Sequence, residues 1–331
     1  MALPASGQIT LNQVNVELGN SGTAQISMNS SAVRGLFGIA SGEIEMSDGY
    51  GKANAFTLTF NSNTKEANLA TLATAAGWDG STALQCDIVA GVYIWSDNTA
   101  NPGLLISGSY PGGVIVNNLG FIMGKGGHSG VGFSAPGAEG RPGGPAIELS
   151  TSSSVTINNN SGGYLGGGGG GGGAQQGGGG AGGGFGGVNG TYGGHGGAIG
   201  QSGLNSTDPY GEGRPLGQGG TAGGGGGGVD NTGQYRPGGG GGRVFPGVGG
   251  AGAGGTYPGG AGGSAGGNGS TGVYNSYYGG GGGGGGGWGG SGAGGALGYG
   301  VVFSGGSGGK AILDNGSSYT LSNNGTIYGG T

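Results

Sequence analysis

The sequence predicts a mainly β N-terminal part and a bundle of polyglycine II helices inserted in a small platform of β repeats, with little α-helix. Three observations predict this fold class. Glycine accounts for 106 of the 331 residues, and 93 of these glycines lie after residue 111. Copies of one short motif stand on both sides of the richest glycine region. Several glycine runs carry a side chain at every third residue, which matches the three residues per turn of that helix.

Composition excludes several classes of protein. Glycines run eight or nine in succession, whereas collagen needs glycine strictly at every third position. The net charge is −5, so no basic surface is expected for a nucleic acid partner. No apolar run approaches the roughly 20 residues of a membrane span, and we expect no membrane insertion. The single Cys86 excludes an intrachain disulfide and is expected to be a small buried apolar residue.

Residues 1–54 form a short self-similar segment. An alternating pattern recurs three times, with the apolar pairs Ile9 and Leu11, Ile26 and Met28, and Ile44 and Met46. The alternation predicts half-buried strands or extended turns, followed by helix starts at Asn12, at Asn29 or Ser30, and at Ser47 with Asp48. These units are too small for a large core of their own. We therefore expect the segment to dock on a partner or on its own copies.

Residues 55–111 are predicted to form a small β-rich domain. Alternating or apolar runs at 56–60, 84–89 and 92–95 predict strands. The apolar spacing between Glu66 and Ala76 predicts one helix, ended by Gly77.

A repeated motif predicts stacked strands, as in a β-helix. Residues 114–124, 155–166 and 319–329 each combine a short strand, an Asn-Asn turn and a second apolar pair that leads into glycine. The second and third copies also share a lead-in, at 143–147 and 308–312. The copies predict a β repeat platform at 112–165, closed by a C-terminal repeat at 306–331.

Residues 166–305 therefore leave this platform and return to it. They are either a flexible glycine linker or an ordered polyglycine II bundle without helix or sheet. Matching motifs at both ends and the three-residue period favour the bundle. Pure glycine runs at 166–173, 223–228, 238–242 and 279–287 suit its interior.

The segments between the glycine runs are rich in Tyr, Arg, Asn and Ser, which are typical of binding surfaces. We expect Trp288 and Phe185 to be core residues instead. The candidate receptor-binding residues are Tyr210, Arg214, Tyr235, Arg236, Tyr274, Tyr277 and Tyr278.

Catalytic chemistry is not predicted, and the chain is not expected to be an enzyme. Residues 166–305 contain only the carboxylates Asp208, Glu212 and Asp230, and they show no acidic pair for glycan cleavage. His128 and His195 lack the Cys or carboxylate cluster of a metal site. No Gly-Lys-Ser/Thr motif follows a strand, so no phosphate loop is predicted. We expect no catalytic residue, no metal and no cofactor.

The glycine runs and the aromatic segments between them resemble the receptor-recognising adhesins at the tip of T-even bacteriophage tail fibres. The resemblance covers about residues 120–331. It implies a polyglycine II sandwich whose loops bind a bacterial outer-membrane protein or surface glycan, in the virion. Residues 3–9 and 48–52 resemble a motif at the start of many phage tail proteins, which implies that residues 1–54 attach to other tail proteins. T-even adhesins attach as a separate tip protein, whereas this chain is expected to carry its own attachment segment. A monomer and a homotrimer therefore both stay open.

Two alternative functions stay open at this point. A non-binding glycine-rich structural or antifreeze-like protein would use the same helices, but it would need only short connections between them. A tailspike with glycan-degrading activity would need a grooved β-helix with acidic pairs.

Overall fold

A computed structural model describes residues 3–52, 54–130, 139–173 and 301–331, together with 217–218, 227–228, 260–261, 263–264, 266–272, 274–275, 279–280 and 286–297. Its strands, in chain order, are β1 Ala55–Phe60, β2 Thr64–Lys65, β3 Ala67–Asn68, β4 Ala83–Ile88, β5 Tyr93–Trp95, β6 Leu104–Ser107, β7 Val114–Asn118, β8 Phe121–Met123, β9 Ile147–Ser150, β10 Val155–Asn159, β11 Tyr164–Gly166, β12 Gly217–Gln218, β13 Gly227–Gly228, β14 Tyr274–Asn275, β15 Gly279–Gly280, β16 Gly295–Leu297, β17 Val301–Phe303, β18 Ile312–Leu313, β19 Tyr319–Asn323 and β20 Thr326–Tyr328. The helices are α1 Leu11–Glu17, α2 Ser31–Phe37 and α3 Leu69–Ala75, with a 3₁₀ helix at Met46–Gly49. The protein is thus mainly β with few helices.

The N-terminal unit, residues 3–52, is helical. Of the two alternatives predicted there, half-buried strands are wrong, because the described residues before Ala55 contain no strand. Extended backbone is found at Thr10 and Ser30, which are helix caps. Thr10 forms a capping box with Gln13, so α1 begins one residue before the predicted Asn12. Ser30 is confirmed as a helix start, since its side chain accepts a hydrogen bond from the Val33 N–H.

This unit also has a small core of its own. The helices bring together six buried residues, Leu3, Ile9, Val14, Val33, Leu36 and Phe37. Ile26, Met28, Ile44 and Met46 pack half-buried against them. Leu11 and Val16 on α1 stay 43% and 54% exposed.

Residues 55–166 and 312–328 form a parallel β-helix of three sheets. Sheet 1 has the order β1-β4-β7-β10-β19, sheet 2 has β2-β5-β8-β11-β20, and sheet 3 has β3-β6-β9-β18. The chain passes from sheet 1 to sheet 2 to sheet 3 in each of the first four coils, and the fifth coil has only β19 and β20. The sheets cross the predicted boundary at residue 111 without a break, because β4 pairs with β7 over its last five residues.

The stacking of the repeated motif is confirmed, with the register that the sequence alignment implies. Val155 lies between Val114 and Tyr319 in sheet 1. The two lead-ins also meet, since Ile147 pairs with Ile312 in sheet 3.

The Asn-Asn pairs are not left-handed turns. Among the described residues other than glycine, only Glu66 and Asn315 have positive φ. Asn118, Asn159 and Asn323 instead end their strands and form a ladder. In this ladder, Nδ2 of Asn118 donates to Oδ1 of Asn159, and Nδ2 of Asn159 donates to Oδ1 of Asn323, both at 2.8 Å.

The predicted helix at 66–76 is confirmed as α3. It starts at Leu69, because Asn68 caps it by accepting a hydrogen bond from the Thr71 N–H. Ala76 and then Gly77, with φ +103°, follow its end. Cys86 is confirmed as a buried residue of the β-helix core, and burial raises the pKa of its thiol. None of the described helices is long and apolar enough to span a membrane.

Candidate binding region at one corner of the β-helix

The glycine-rich residues leave the β-helix at one corner, between sheet 2 and sheet 3. The connections at this corner are 96–103 in the second coil, 124–146 in the third and 167–311 in the fourth. Because the coils stack, the three connections emerge side by side. We call the described segments 124–130, 139–146, 167–173, 266–269, 286–294 and 304–310 the glycine layers.

Backbone hydrogen bonds join the glycine layers with a period of three residues. The N–H groups of Gly124, Gly127 and Gly130 donate to the C=O groups of Gly166, Gly169 and Gly172, at 2.9, 2.8 and 3.1 Å. Those of Gly140, Gly143 and Ala146 donate to Ser304, Ser307 and Lys310, at 2.9, 3.0 and 3.0 Å. Each segment thus presents the same kind of group to one neighbour at every third residue.

Residues 167–173 have neighbours in several directions. The N–H of Gly168 donates to the C=O of Gly144, and that of Gly170 donates to the C=O of Gly290, both at 2.9 Å. A Cβ at either glycine would overlap a backbone carbonyl, that of Lys125 at Gly168 and that of Gly306 at Gly170. Glycine is therefore required here by close backbone approach on several sides.

The glycine layers begin earlier in the chain than the sequence predicts. Residues 124–130 and 139–146 fall in the predicted β platform, but in the structure they are hydrogen-bonded to the other glycine layers. A signal was present, because Gly124, Gly127 and Gly130 already keep the period of three. Lys125 lies among them with 6% exposure; burial lowers the pKa of its ammonium group, and the Asp97 carboxylate opposes part of that shift.

Aromatic side chains cover the outer face of sheet 2 beside this corner. Tyr93, Phe121 and Tyr164 stack across three coils, with ring centroids 4.8 and 4.9 Å apart. Trp288 is confirmed as a core residue, fully buried against this sheet. Trp95 lies half-buried in the same cluster.

Of the candidate receptor-binding residues, only Tyr274 is among the described residues. It lies in β14, which pairs antiparallel with β15. Tyr210, Arg214, Tyr235, Arg236, Tyr277 and Tyr278 lie outside the described residues, as do Phe185 and His195.

The expectation that residues 166–305 lack sheet is corrected by three short antiparallel pairs, β12–β13, β14–β15 and β16–β17. The last of these pairs is the longest. Val301 and Val302 lie in it, and β-branched residues favour strands.

The described residues contain no group of three or more His, Cys, Asp or Glu side chains that could hold a metal ion. His128 is exposed at the surface of the glycine layers. A half-exposed ion pair joins Lys65 and Asp97, with 3.0 Å between Nζ and Oδ2.

Comparisons with known proteins give one family and one similar structure. The family model described as "Phage tail fibre adhesin Gp38" matches residues 55–236, more than half of the chain. A solved structure titled "Crystal structure of the gp37-gp38 adhesin tip complex of the bacteriophage S16 long tail fiber" is similar with 20% identity and a TM-score of 0.49. That match covers 98% of this chain and 99% of the other. No curated protein sequence matches.

Proposed function

This chain belongs to the phage tail fibre adhesin Gp38 family, and from that premise we propose that it binds its receptor through the segments between its glycine runs. As a member of this family, it is a receptor-recognising adhesin of the virion tail. The proposal concerns how recognition is achieved: a polyglycine II bundle over residues 166–305 holds the segments, and their side chains contact the receptor.

One observation carries the proposal, the three-residue period of hydrogen bonds among the glycine layers. This period is that of a polyglycine II helix, whose N–H and C=O groups point sideways. A scaffold built from backbone alone presents the same groups everywhere, so it cannot discriminate between ligands by shape or charge. Discrimination must therefore come from projecting side chains, chiefly those of Tyr and Arg.

The receptor is proposed to be an outer-membrane protein or a glycan of the bacterial surface, bound without chemical change. Residues 166–305 hold only three carboxylates, spaced 4 and 18 residues apart in the sequence. Tyr and Arg side chains suit either receptor, because they combine apolar area with hydrogen-bond donors.

The N-terminal unit is proposed to attach the chain to another tail protein. Its own core is satisfied, yet Leu11 and Val16 expose apolar surface along α1, and Tyr50 is 42% exposed. We propose that these exposed side chains contact the partner tail protein. In the sequence, strands β1 to β11 of the β-helix lie between this unit and the proposed receptor-binding segments.

Replacing Tyr277 and Tyr278 together with alanine is expected to lower binding of the purified chain to host cells by about 30-fold or more, because aromatic anchors often contribute over ~2 kcal/mol each. Folding should be unchanged. Binding is measured on cells with fluorescently labelled protein.

Tyr50→Ala is the matched control, since it removes a half-exposed tyrosine far from the glycine layers along the chain. The proposal is wrong if binding survives in the Tyr277→Ala/Tyr278→Ala variant and also after substitution of Tyr210, Arg214, Tyr235 and Arg236. The receptor site would then lie elsewhere, with the half-buried aromatic surface around Trp95 as the next candidate.

Removing residues 1–54 is expected to give a folded chain that still binds cells but no longer joins phage particles. The β-helix keeps its own core without them. Particle incorporation is measured by immunoblot of purified virions, and the mass in solution distinguishes a monomer from a homotrimer. If the shortened chain loses cell binding but is still incorporated into particles, residues 1–54 are not the attachment unit and the receptor site is not confined to the segments between the glycine runs.

A further inference from the structure

One position on the outer face of sheet 2 lacks a side chain. Trp95, Met123, Gly166 and Tyr328 occupy neighbouring positions in four successive coils. Three of them carry large side chains on this face, and Gly166 carries none. The column therefore has a notch at Gly166, one coil wide, with Met123 on one side and Tyr328 on the other.

Trp288 fills this notch from outside the sheet. A Cβ at Gly166 would lie 2.5 Å from Cε3 and 2.9 Å from Cδ2 of the Trp288 indole. The indole is fully buried in a cluster with Met123, and it meets the Tyr328 ring edge-on at a centroid distance of 6.1 Å. Its Nε1 has no hydrogen-bond partner among the residues that the structure describes. The contacts that the described residues make with the indole are therefore contacts of shape.

The backbone on both sides of Trp288 is tied into the glycine layers. Gly289 donates to the C=O of Gly167 at 2.8 Å, next to the notch. Before Trp288, the Gly287 N–H donates to the C=O of Gly267 at 2.9 Å. After it, the Trp288 C=O accepts from the Gly266 N–H at 2.9 Å, and Gly269 donates to the C=O of Ser291 at 3.0 Å. Residues 266–269 lead directly into the segment that carries Tyr274. A continuous path of contacts thus runs from sheet 2 through Trp288 to a proposed receptor-binding segment.

The glycine layers have a register problem that hydrogen bonds alone do not solve. Their bonds repeat every three residues, and glycine has no side chain to distinguish one repeat from the next. A glycine segment that slides by three residues moves about 9 Å, at ~3.1 Å per residue, and forms the same kind of bonds again. In β-sheets the side-chain pattern removes such degeneracy, and sheets without a pattern are prone to slip.

We propose that Trp288 is a positioning residue that sets the register of residues 286–294 by fitting the notch at Gly166. The notch exists in one coil, so it accepts the indole in one register only. Residues 266–269 and the segment after them then take a defined place relative to the β-helix. This inference rests on the proposed function for its effect on receptor binding, but not for its effect on register.

Two variants distinguish whether Trp288 only fills the notch or also sets the register of residues 286–294. Trp288→Ala empties the notch, and Gly166→Leu combined with Trp288→Ala fills it from the sheet itself. Leucine suits this position, because the three atoms nearest to a Cβ at Gly166 all belong to Trp288 and the backbone φ is not in the left-handed region. Trp288→Phe is the conservative variant. Trp78→Ala is the matched control, since it removes another buried indole, which stacks on Tyr110.

Two readouts are measured on the full chain: thermal stability, and hydrogen exchange of peptides that span 266–272 and 286–294. We expect the double variant to regain most of the stability lost in Trp288→Ala. Its amides at 266–269 and 287–292 should nevertheless exchange at least tenfold faster than in the parent chain. Trp288→Phe should recover slow exchange in part, and Trp78→Ala should lose stability without faster exchange at these amides.

The proposal is overturned if the double variant exchanges as slowly as the parent chain, because Trp288 would then only fill space. Cell binding is measured in parallel and should fall at least tenfold in the double variant. Exchange needs no receptor, so fast exchange with normal cell binding would uphold the register role. It would at the same time show that residues 266–278 do not carry the receptor site.

Discussion

A Gly168→Ala chain is expected to lose the packing of its glycine layers and, with it, binding to host cells. The added Cβ would overlap the Lys125 carbonyl and lie 2.9 Å from the Gly126 nitrogen. All of these atoms are backbone, so no side chain can rotate away to make room. Residue 168 must therefore move away from Lys125 and Gly126, and the bonds from Gly168 to Gly144 and from Gly309 to Gly168, at 2.9 and 2.7 Å, are then lost.

The expected loss of stability is large. Each buried N–H or C=O group left without a partner costs about 1–3 kcal/mol, and these two bonds involve four groups. The total unfolding free energy of a domain is typically only about 5–15 kcal/mol. Protease digestion of the purified chain, followed by mass spectrometry, checks whether cleavage appears within 124–173.

Gly330→Ala is the matched control for this substitution. Its Cβ would meet nothing nearer than Cγ of Lys310, at 4.0 Å. The same chemical change should therefore leave digestion and cell binding unchanged. Equal resistance of the two variants would show that the glycine layers tolerate a methyl group, and the close-packed account would be wrong.

Asn159→Leu is expected to destabilise the β-helix by about 1–3 kcal/mol, because the fully buried amide of Asn118 loses a partner. Asn159 is fully buried. Its Nδ2 donates to Oδ1 of Asn323 at 2.8 Å and to the Thr326 C=O at 3.2 Å, and its Oδ1 accepts from Nδ2 of Asn118 at 2.8 Å. Leucine has a similar volume, so the loss reports the hydrogen bonds and little change in packing.

Cys86 supplies the measurement for this prediction. It is the only cysteine of the chain and is fully buried in the β-helix core, and burial raises the pKa of its thiol. A thiol reagent can therefore reach it only when the core opens. Labelling in increasing urea gives the unfolding midpoint of each variant.

Asn158→Leu is the control, because its side chain is half-buried on the outer face and donates a single bond, to Oδ1 of Asn117 at 2.9 Å. We expect a midpoint shift well below that of Asn159→Leu. Equal midpoints for Asn159→Leu and the parent chain would mean that the ladder contributes nothing to stability.

The sequence predicted those parts of the fold that repeat. The copies that begin at residues 114, 155 and 319 could be aligned because each combines an apolar strand with two asparagines. The asparagines recur because a ladder needs side-chain amides that both donate and accept hydrogen bonds. The first two coils escaped this alignment, because Ile88 stands where Asn118 stands in the next coil. For that reason the sequence did not predict that the sheets continue across residue 111.

Local patterns were less informative in the N-terminal unit. Alternation around Ile9, Ile26 and Ile44 is typical of strands, but helix caps at Thr10 and Ser30 take the same extended backbone for one residue. A pattern of three or four residues cannot separate the two. The core of this unit depends on contacts between helices that are distant in the sequence.

The binding region was predicted in outline. Trp288 could be identified as a core residue, because a single tryptophan beside a pure glycine run has few other roles. Its partner could not be identified, since nothing distinguishes Gly166 from the glycines that follow it until the coils are stacked. Only its place in the column beside Met123 and Tyr328 shows that it leaves a notch.

The central claim is that this chain itself recognises the host through segments held by its glycine layers. Competition for host cells tests the claim most directly: cells are incubated with an excess of the purified chain, and the adsorption rate of the phage is then measured. The parent chain is expected to slow adsorption in a saturable manner, whereas the Tyr277→Ala/Tyr278→Ala chain, with Cys86 still protected from labelling, is expected to leave adsorption unchanged. Equal competition by both chains, or competition by neither, would contradict the account.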